Sequence, residues 1–369
     1  MLVTRERKAL EAESIRRLGK RVMTDMLKNA FYGVLRHGGV YHVSRQKQKN
    51  RVLILTYHGV LKNGSDSYIN RNCVSAEMFE QQMRWLKRHY TIMPLGDIVD
   101  ALRRGEPLPE YTAAITFDDG FRNNFTVAYP ILVRYNIPAT IFLITDMTDR
   151  PGARLWTDHV DAIIFRANVR RLQLQMNGTL AEFDISSPQA KIQASDRIRG
   201  FLKTLNPQER DRHILSLERQ IDREIDLLED EESRERYEFL SWDEVRLMAE
   251  HQIEFGSHTR SHAIIAHLSP GELENELLVS KRRIEEQLGK PCRLFSYPNG
   301  TPRDFSIRDQ KVLQQAGYTA AVSQIYGFNT YDTDFYALRR INIVRSPSFS
   351  YFLAKVTGVW GRLREWTRN

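Results

Sequence analysis

The sequence predicts an α/β fold of parallel strands covered by helices, with a mainly helical insertion and a basic amphipathic helix ahead of the folded part. From residue 52 onward, short apolar runs alternate with amphipathic helical stretches, and that alternation fails between about 150 and 240. Charge divides the chain as well. The formal net charge is +8 over 369 residues, yet residues 1–51 alone hold 13 basic and 4 acidic side chains, so the remainder is nearly neutral. The basic balance therefore belongs to one segment, which excludes specific nucleic-acid binding across the whole surface. A content of 41% hydrophobic and 27% charged residues excludes a disordered or fibrous chain.

In the first 51 residues, Val22, Met23, Met26, Leu27, Ala30, Phe31, Val34 and Leu35 form one helical stripe, ringed by Arg17, Lys20, Arg21, Lys28 and Arg36. Residues 17–36 thus read as a surface helix able to contact an anionic membrane peripherally. Arg45–Arg51 is polar and basic and reads as a linker. No apolar run approaches the ~20 residues that cross a bilayer, and no apolar secretory h-region precedes the domain. The expected location is the cytoplasm, at most against the inner face of the membrane.

The folded domain is expected over 52–345. Its strands are Val52–Tyr57, Ala113–Phe117, Ala139–Ile144, Ile253–Gly256, Leu294–Tyr297 and Thr319–Val322. Ser241-Trp-Asp-Glu244 and Ser269-Pro-Gly-Glu272 fit the capping box, in which a serine and a glutamate satisfy each other's backbone amides at a helix start. The second helix carries Leu273, Leu277, Ile284 and Leu288 on one face until Gly289. The insertion contains an acidic run, Glu218–Glu238, that reads as a solvated helix face. Residues 346–369 are expected to form a C-terminal helix. Cys73 and Cys292 stand alone, which signals neither a thiolate metal site nor a disulfide framework.

Three segments put reactive groups directly after strands, where parallel α/β folds build their sites. In Ala113-Ala-Ile-Thr-Phe-Asp-Asp-Gly120, two adjacent carboxylates must point apart, so one can hold a cation while the other takes a proton. His258 and His262 follow the strand at Ile253 with i, i+4 spacing, which on one helical turn would aim both imidazoles at one ion. One carboxylate and two nitrogens make a three-ligand divalent site with open positions. Leu294-Phe-Ser-Tyr-Pro-Asn-Gly300 ends a strand in a turn whose backbone N–H groups could stabilise an oxyanion.

In this order T-F-D-D-G, H-T-x-x-H and F-S-Y-P-N-G resemble the polysaccharide deacetylases with a NodB homology domain, carbohydrate esterase family 4, over about residues 52–345 outside much of the insertion. The resemblance implies a distorted (β/α) barrel of fewer than eight repeats and metal-dependent removal of N-acetyl groups from amino sugars of a polysaccharide or lipid-linked glycan. It assigns Asp118 as general base and Asp119, His258 and His262 as ligands of a divalent metal, most often zinc. It gives the Tyr297 N–H to the oxyanion, and places Tyr297, Pro298, Asn299 and Trp156 at the substrate. Two departures stand out. No histidine follows His267, so a late Leu-x-His acid is missing, and His58 in Leu53-Ile-Leu-Thr-Tyr-His-Gly59 replaces it, in the arrangement of poly-N-acetylglucosamine deacetylases. The arginine of R-x-P-Y is also missing, leaving Arg340 or Arg339 to orient Asp118. Asp158 and His159 are candidate rim residues. The alternatives are hydrolysis of another amide such as a formamide, and a non-catalytic glycan-binding protein of the same fold.

Overall fold

A computed structural model describes residues 30–64, 68–221, 225–345 and 348–366. They separate into two compact units, one over 50–345 and one made of the residues before 50 and after 345.

The larger unit is built on β1 (Leu53–Tyr57), β2 (Gly59–Leu61), β3 (Cys73–Ser75), β4 (Thr91–Ile92), β5 (Thr112–Phe117), β6 (Ala139–Leu143), β7 (Arg171–Met176), β8 (Thr179–Asp184), β9 (Ile253–Ser257), β10 (Leu294–Ser296), β11 (Ala320–Val322) and β12 (Ile341–Asn342). The main sheet runs β11-β10-β9-β6-β5-β1-β12 with β4 beside the start of β5, and every pairing in it is parallel. A parallel bridge between Val322 and Leu338, just ahead of β12, joins the two ends into a ring. This is the distorted (β/α) barrel of the expectation. The central strands β1, β5 and β6 are buried along their length, as sheets covered on both faces require. Ile54, Ala114, Phe142, Leu294, Ala320 and Val322 from five strands share one cluster with Ile98, Val99 and Leu102 of the helix Leu95–Arg104. Both expected capping boxes form, and Gly289 ends its helix at φ 63°.

The insertion has its own core, in which Val160, Ile163, Ile198, Leu202 and Leu217 come from three helices. It is not purely helical: β7 and β8 form an antiparallel hairpin from Arg171 to Asp184. Leu172, Leu174 and Phe183 fill the core from this hairpin, and Asn177 and Gly178 turn it with φ 50° and 81°. An Asn-Gly pair between alternating residues is a strong hairpin signal that helical periodicity masked.

In the smaller unit, residues 40–46 are helical, so the expected linker is partly helix, with Ser44 and Gln48 buried. The C-terminal helix is two, Phe349–Val356 and Val359–Trp366, broken at Gly358 with φ 82°. Tyr41 Oη lies 2.9 Å from the Tyr32 carbonyl and 3.0 Å from that of Ser350, fastening the two chain segments together. Half of the expected amphipathic stripe, Val22, Met23, Met26 and Leu27, lies outside the described residues; of the other half, Phe31 and Val34 are exposed.

Close packing inside the ring gives a direct test at Gly256 on β9. A Cβ there would stand 2.6 Å from the Phe142 ring and 2.8 Å from the Leu294 carbonyl oxygen, a backbone atom that cannot swing away. Gly256→Ala should lower stability by about 2–3 kcal/mol in urea unfolding, whereas Gly271→Ala, with open space around its position, should stay within about 0.5 kcal/mol.

Candidate active site

The carboxyl ends of β1, β5, β9 and β10 converge on a cavity of about 200 Å³. Among the residues lining it are His58, Asp118, Asp119, His258, His262 and Asn299, with Gln324 from beyond β11. β5 delivers both carboxylates. Asp118 stays in register, donating its N–H to the Tyr57 carbonyl at 2.9 Å. Asp119 and Gly120 then take φ 73° and 76° and reverse the chain, so neighbouring side chains leave in different directions. Glycine is needed at 120, since a Cβ would lie 2.8 Å from Leu143 Cδ2.

Asp118 is held from several sides. Arg340 donates Nη1 to Oδ1 at 2.8 Å and Nη2 to Oδ2 at 2.7 Å, the paired geometry a guanidinium offers a carboxylate. Ser296 Oγ donates to Oδ1 at 3.0 Å, and Gln324 Nε2 to Oδ2 at 3.1 Å. Arg340 is itself fixed by Nε on the Ser323 carbonyl at 2.8 Å and by Nη2 on Ser296 Oγ at 2.9 Å. Burial pushes the Asp118 carboxyl upward, but the Arg340 charge and hydrogen bonds, with a share from His258, outweigh it and hold it below its ordinary range. Arg340 rather than Arg339 meets Asp118; the Arg339 side chain runs past Gly327 instead, its Cδ 2.8 Å and its Nη1 3.3 Å from where a Cβ on that glycine would stand. Neither Ser296, which stands where the resemblance expects arginine, nor Gln324 belongs to the residues that the motifs single out; the absent R-x-P-Y arginine is the signal that points to Ser296.

Asp119 faces the two imidazoles. His258 Nε2 lies 3.4 Å and His262 Nε2 3.5 Å from Asp119 Oδ1, and one ligand atom from each of the three residues falls within 4.8 Å of the others. The histidines do not share a helical turn. They sit in a loop after β9 in which Thr259 and His262 have φ 65° and 63°. That loop is braced by the helix Pro270–Leu288, where Glu276 accepts from the N–H groups of Arg260 and Ser261 at 2.9 and 2.8 Å. One turn on, Ser280 Oγ donates to the Thr259 carbonyl at 3.2 Å.

The donor set fits a divalent cation. His258 Nδ1 is 2.7 Å from the Ser296 carbonyl, which fixes the proton on Nδ1 and turns the Nε2 lone pair toward Asp119. Burial holds His262 down to about 3, so its imidazole is neutral as a ligand must be. For Asp119, burial acts upward, but the His258 hydrogen bond and the surrounding imidazoles outweigh it and keep the carboxyl far below its ordinary range. His258 is lowered by burial and raised more strongly by Asp119 and Asp118 together.

His58, at the end of β1, lines the cavity, and its buried Nδ1 has no hydrogen-bond partner among the described residues. The third motif differs from the expectation. Tyr297 is fully buried, its N–H donates to the Val322 carbonyl at 3.2 Å and its hydroxyl to the Tyr336 carbonyl at 2.8 Å. An amide committed to the sheet cannot serve an oxyanion. Asn299, two residues on at φ 59°, lines the cavity, and its N–H has no acceptor among the described residues. Neither Pro298 nor Trp156 lines the cavity; Trp156 packs on the insertion core under the Arg210 guanidinium, while its neighbours Leu155, Thr157 and Asp158 reach the cavity wall. Asp158 is raised to about 6 by burial, offset by Arg236. His159 points elsewhere, with Nε2 2.6 Å from Glu218 Oε1.

Known proteins bear on the fold and the family. The deacetylase PplD of Streptococcus pyogenes, solved with acetate, superposes with a TM-score of 0.55 at 18% identity over 84% of this chain and 99% of that one. A de-N-acetylase of Aggregatibacter actinomycetemcomitans gives 0.50 at 19% identity over 79% and 95%. In sequence, YxkH of Bacillus subtilis is 21% identical over 304 residues, 82% of this chain and 75% of that one. The poly-β-1,6-N-acetyl-D-glucosamine N-deacetylase of Staphylococcus aureus is 35% identical over 109 residues, 27% of this chain and 37% of that one. The family profile described as polysaccharide deacetylase matches residues 105–175 and 183–321, which hold Asp118, Asp119, His258 and His262 and leave His58 and Arg340 outside. The chain belongs to the polysaccharide deacetylase family.

Proposed function

We propose that the protein is a divalent-metal-dependent hydrolase that removes N-acetyl groups from amino sugars of a polysaccharide or lipid-linked glycan. The observation that carries this reading is the division of labour between neighbouring carboxylates, Asp119 turned to two imidazoles and Asp118 held ionised by Arg340. The name of the staphylococcal relative supports the substrate class.

Asp119, His258 and His262 would hold the ion, with zinc suited to two imidazoles and a carboxylate. When bound, such an ion supplies Lewis acidity, which makes water acidic enough for a weak base to deprotonate. The chain's own groups supply the rest. Asp118, ionised and fixed by its donors, accepts the proton of the attacking water. The unpaired Asn299 N–H can meet the oxygen on which negative charge develops. His58, whose imidazole lines the cavity, gives a proton to the departing amine, so that a neutral amino group leaves.

Acetate release from N-acetylglucosamine oligosaccharides should be abolished by chelation and restored by zinc, and should exceed formate release from N-formyl analogues. Asp118→Asn should lose activity by a factor on the order of 10³ while retaining bound metal; a fully active variant would remove Asp118 as base. His58→Ala should reduce amide hydrolysis by about 10² or more yet barely affect an activated aryl acetate, whose leaving group needs no proton.

Arg340 is a positioning residue, and a pH profile tests it. Arg340→Lys removes the paired hydrogen bonds, so the Asp118 carboxyl should rise and the acid limb of kcat/KM should move to higher pH. An unmoved acid limb would confine Arg340 to a structural role. Glu276→Ala, which unties the histidine loop, should weaken metal binding by about 10–100-fold, read by competition with a chromogenic chelator.

A further inference from the structure

Resting on the deacetylase reading above, we propose that the insertion builds a subsite beside the reacting centre for an anionic group, phosphate or carboxylate, carried by the glycan. Four cationic side chains line one wall of the cavity: Arg71 from the loop before β3, and Arg199, Lys203 and Arg236 from the insertion. Their carboxylate partners are few. Arg71 and Arg199 share Asp161 Oδ2 at 2.9 and 3.2 Å, and Arg199 also reaches Asp196, whose side chain is mostly exposed. Arg236 meets Asp158 Oδ1 with Nη2 at a long 3.4 Å. Among the described residues Lys203 reaches no carboxylate within ion-pair distance; its Nζ donates to Asn299 Oδ1 at 3.2 Å.

Arg236 marks the position most clearly. It is 5% exposed, its guanidinium lies 5.0 Å from the ring centres of Phe121 and Tyr237, and its Nε and Nη1 find no acceptor among the described residues. Arg199 Nε is likewise unpartnered. Buried charged donors without acceptors are costly, so native proteins rarely keep them unless something else supplies the acceptors. The hydroxyls and acetamide of a neutral amino sugar can accept hydrogen bonds but cannot neutralise a guanidinium. A phosphate or carboxylate does both, and its oxygens match the fork of an arginine. Aromatic packing has already fixed the orientation of Arg236, so little freedom remains to be lost on binding. The Lys203–Asn299 contact places this wall next to the amide assigned to the developing negative charge, so the anionic group would sit on the reacting residue or its neighbour.

The test compares acetate release by the full-length protein from three oligosaccharides of equal length: neutral N-acetylglucosamine, the same chain capped by a 1-phosphate, and one alternating with glucuronate. At least one charged substrate should exceed the neutral one in kcat/KM by about tenfold, with the advantage shrinking as salt is raised. Lys203→Gln and Arg199→Gln, both on partly exposed side chains, should pull the charged-to-neutral ratio toward one, and Lys203→Arg should keep it. Independently of turnover, calorimetry on Asp118→Asn should detect inorganic phosphate or glucuronate binding that adding Lys203→Gln removes. Preference between the phosphate and glucuronate arms names the anion. Equal kcat/KM on all three substrates, or calorimetry in which neither anion binds, overturns the subsite even if acetate is released. Absence of acetate from every substrate with anion binding intact overturns the deacetylase reading instead.

Discussion

Asp118 and Arg340 form the contact around which the site is organised. One comes from the end of β5 and the other from the segment that closes the ring into β12, and Ser296 from β10 touches both. Three separate parts of the barrel are therefore tied at one carboxylate. A buried ion pair of this kind adds little net stability compared with an apolar replacement, because desolvation offsets the attraction, but losing either partner leaves an uncompensated charge in the interior. Its value here is positional: it sets the ionisation and the direction of Asp118, and with them the direction left to Asp119.

Adjacent carboxylates acquire different chemistry because the backbone separates them. Left-handed conformations at Asp119 and Gly120 turn one side chain to the guanidinium and the next to the imidazoles. The histidine loop needs similar help, since its positive-φ residues have no regular hydrogen-bonding pattern. Glu276 and Ser280 supply one from the adjacent helix. The geometry of the candidate ligands thus depends on a helix that contributes no residue to the cavity lining, as the orientation of metal ligands by their hydrogen-bonding partners generally does.

The insertion carries an acidic run along the chain, yet what it presents to the cavity is mainly cationic. Arg199, Lys203 and Arg236 face inward, while Glu231 lies at the surface. Net charge over a segment describes its solvent face and leaves open which sign a fold turns toward a pocket.

Much of the barrel was legible in the sequence, because buried parallel strands are short apolar runs and capping boxes are local hydrogen bonds completed within four residues. The T-F-D-D-G and H-T-x-x-H segments showed the groups of the candidate metal site for the same reason. Where two local signals compete, as at Asn177-Gly178, the turn chemistry prevails in the fold over the helical periodicity around it. Sequence order could not separate Arg340 from Arg339, nor show that the Tyr297 amide is consumed by β11 while that of Asn299 finds no acceptor among the described residues. Nor could it show the cationic wall assembled from Arg71, Arg199, Lys203 and Arg236. These outcomes depend on which atoms lie opposite one another after the ring closes. The sequence alone determined the elements and the chemical groups at their ends, through interactions a few residues long; only the tertiary structure decided partners, burial and orientation, because those arise between segments tens to hundreds of residues apart.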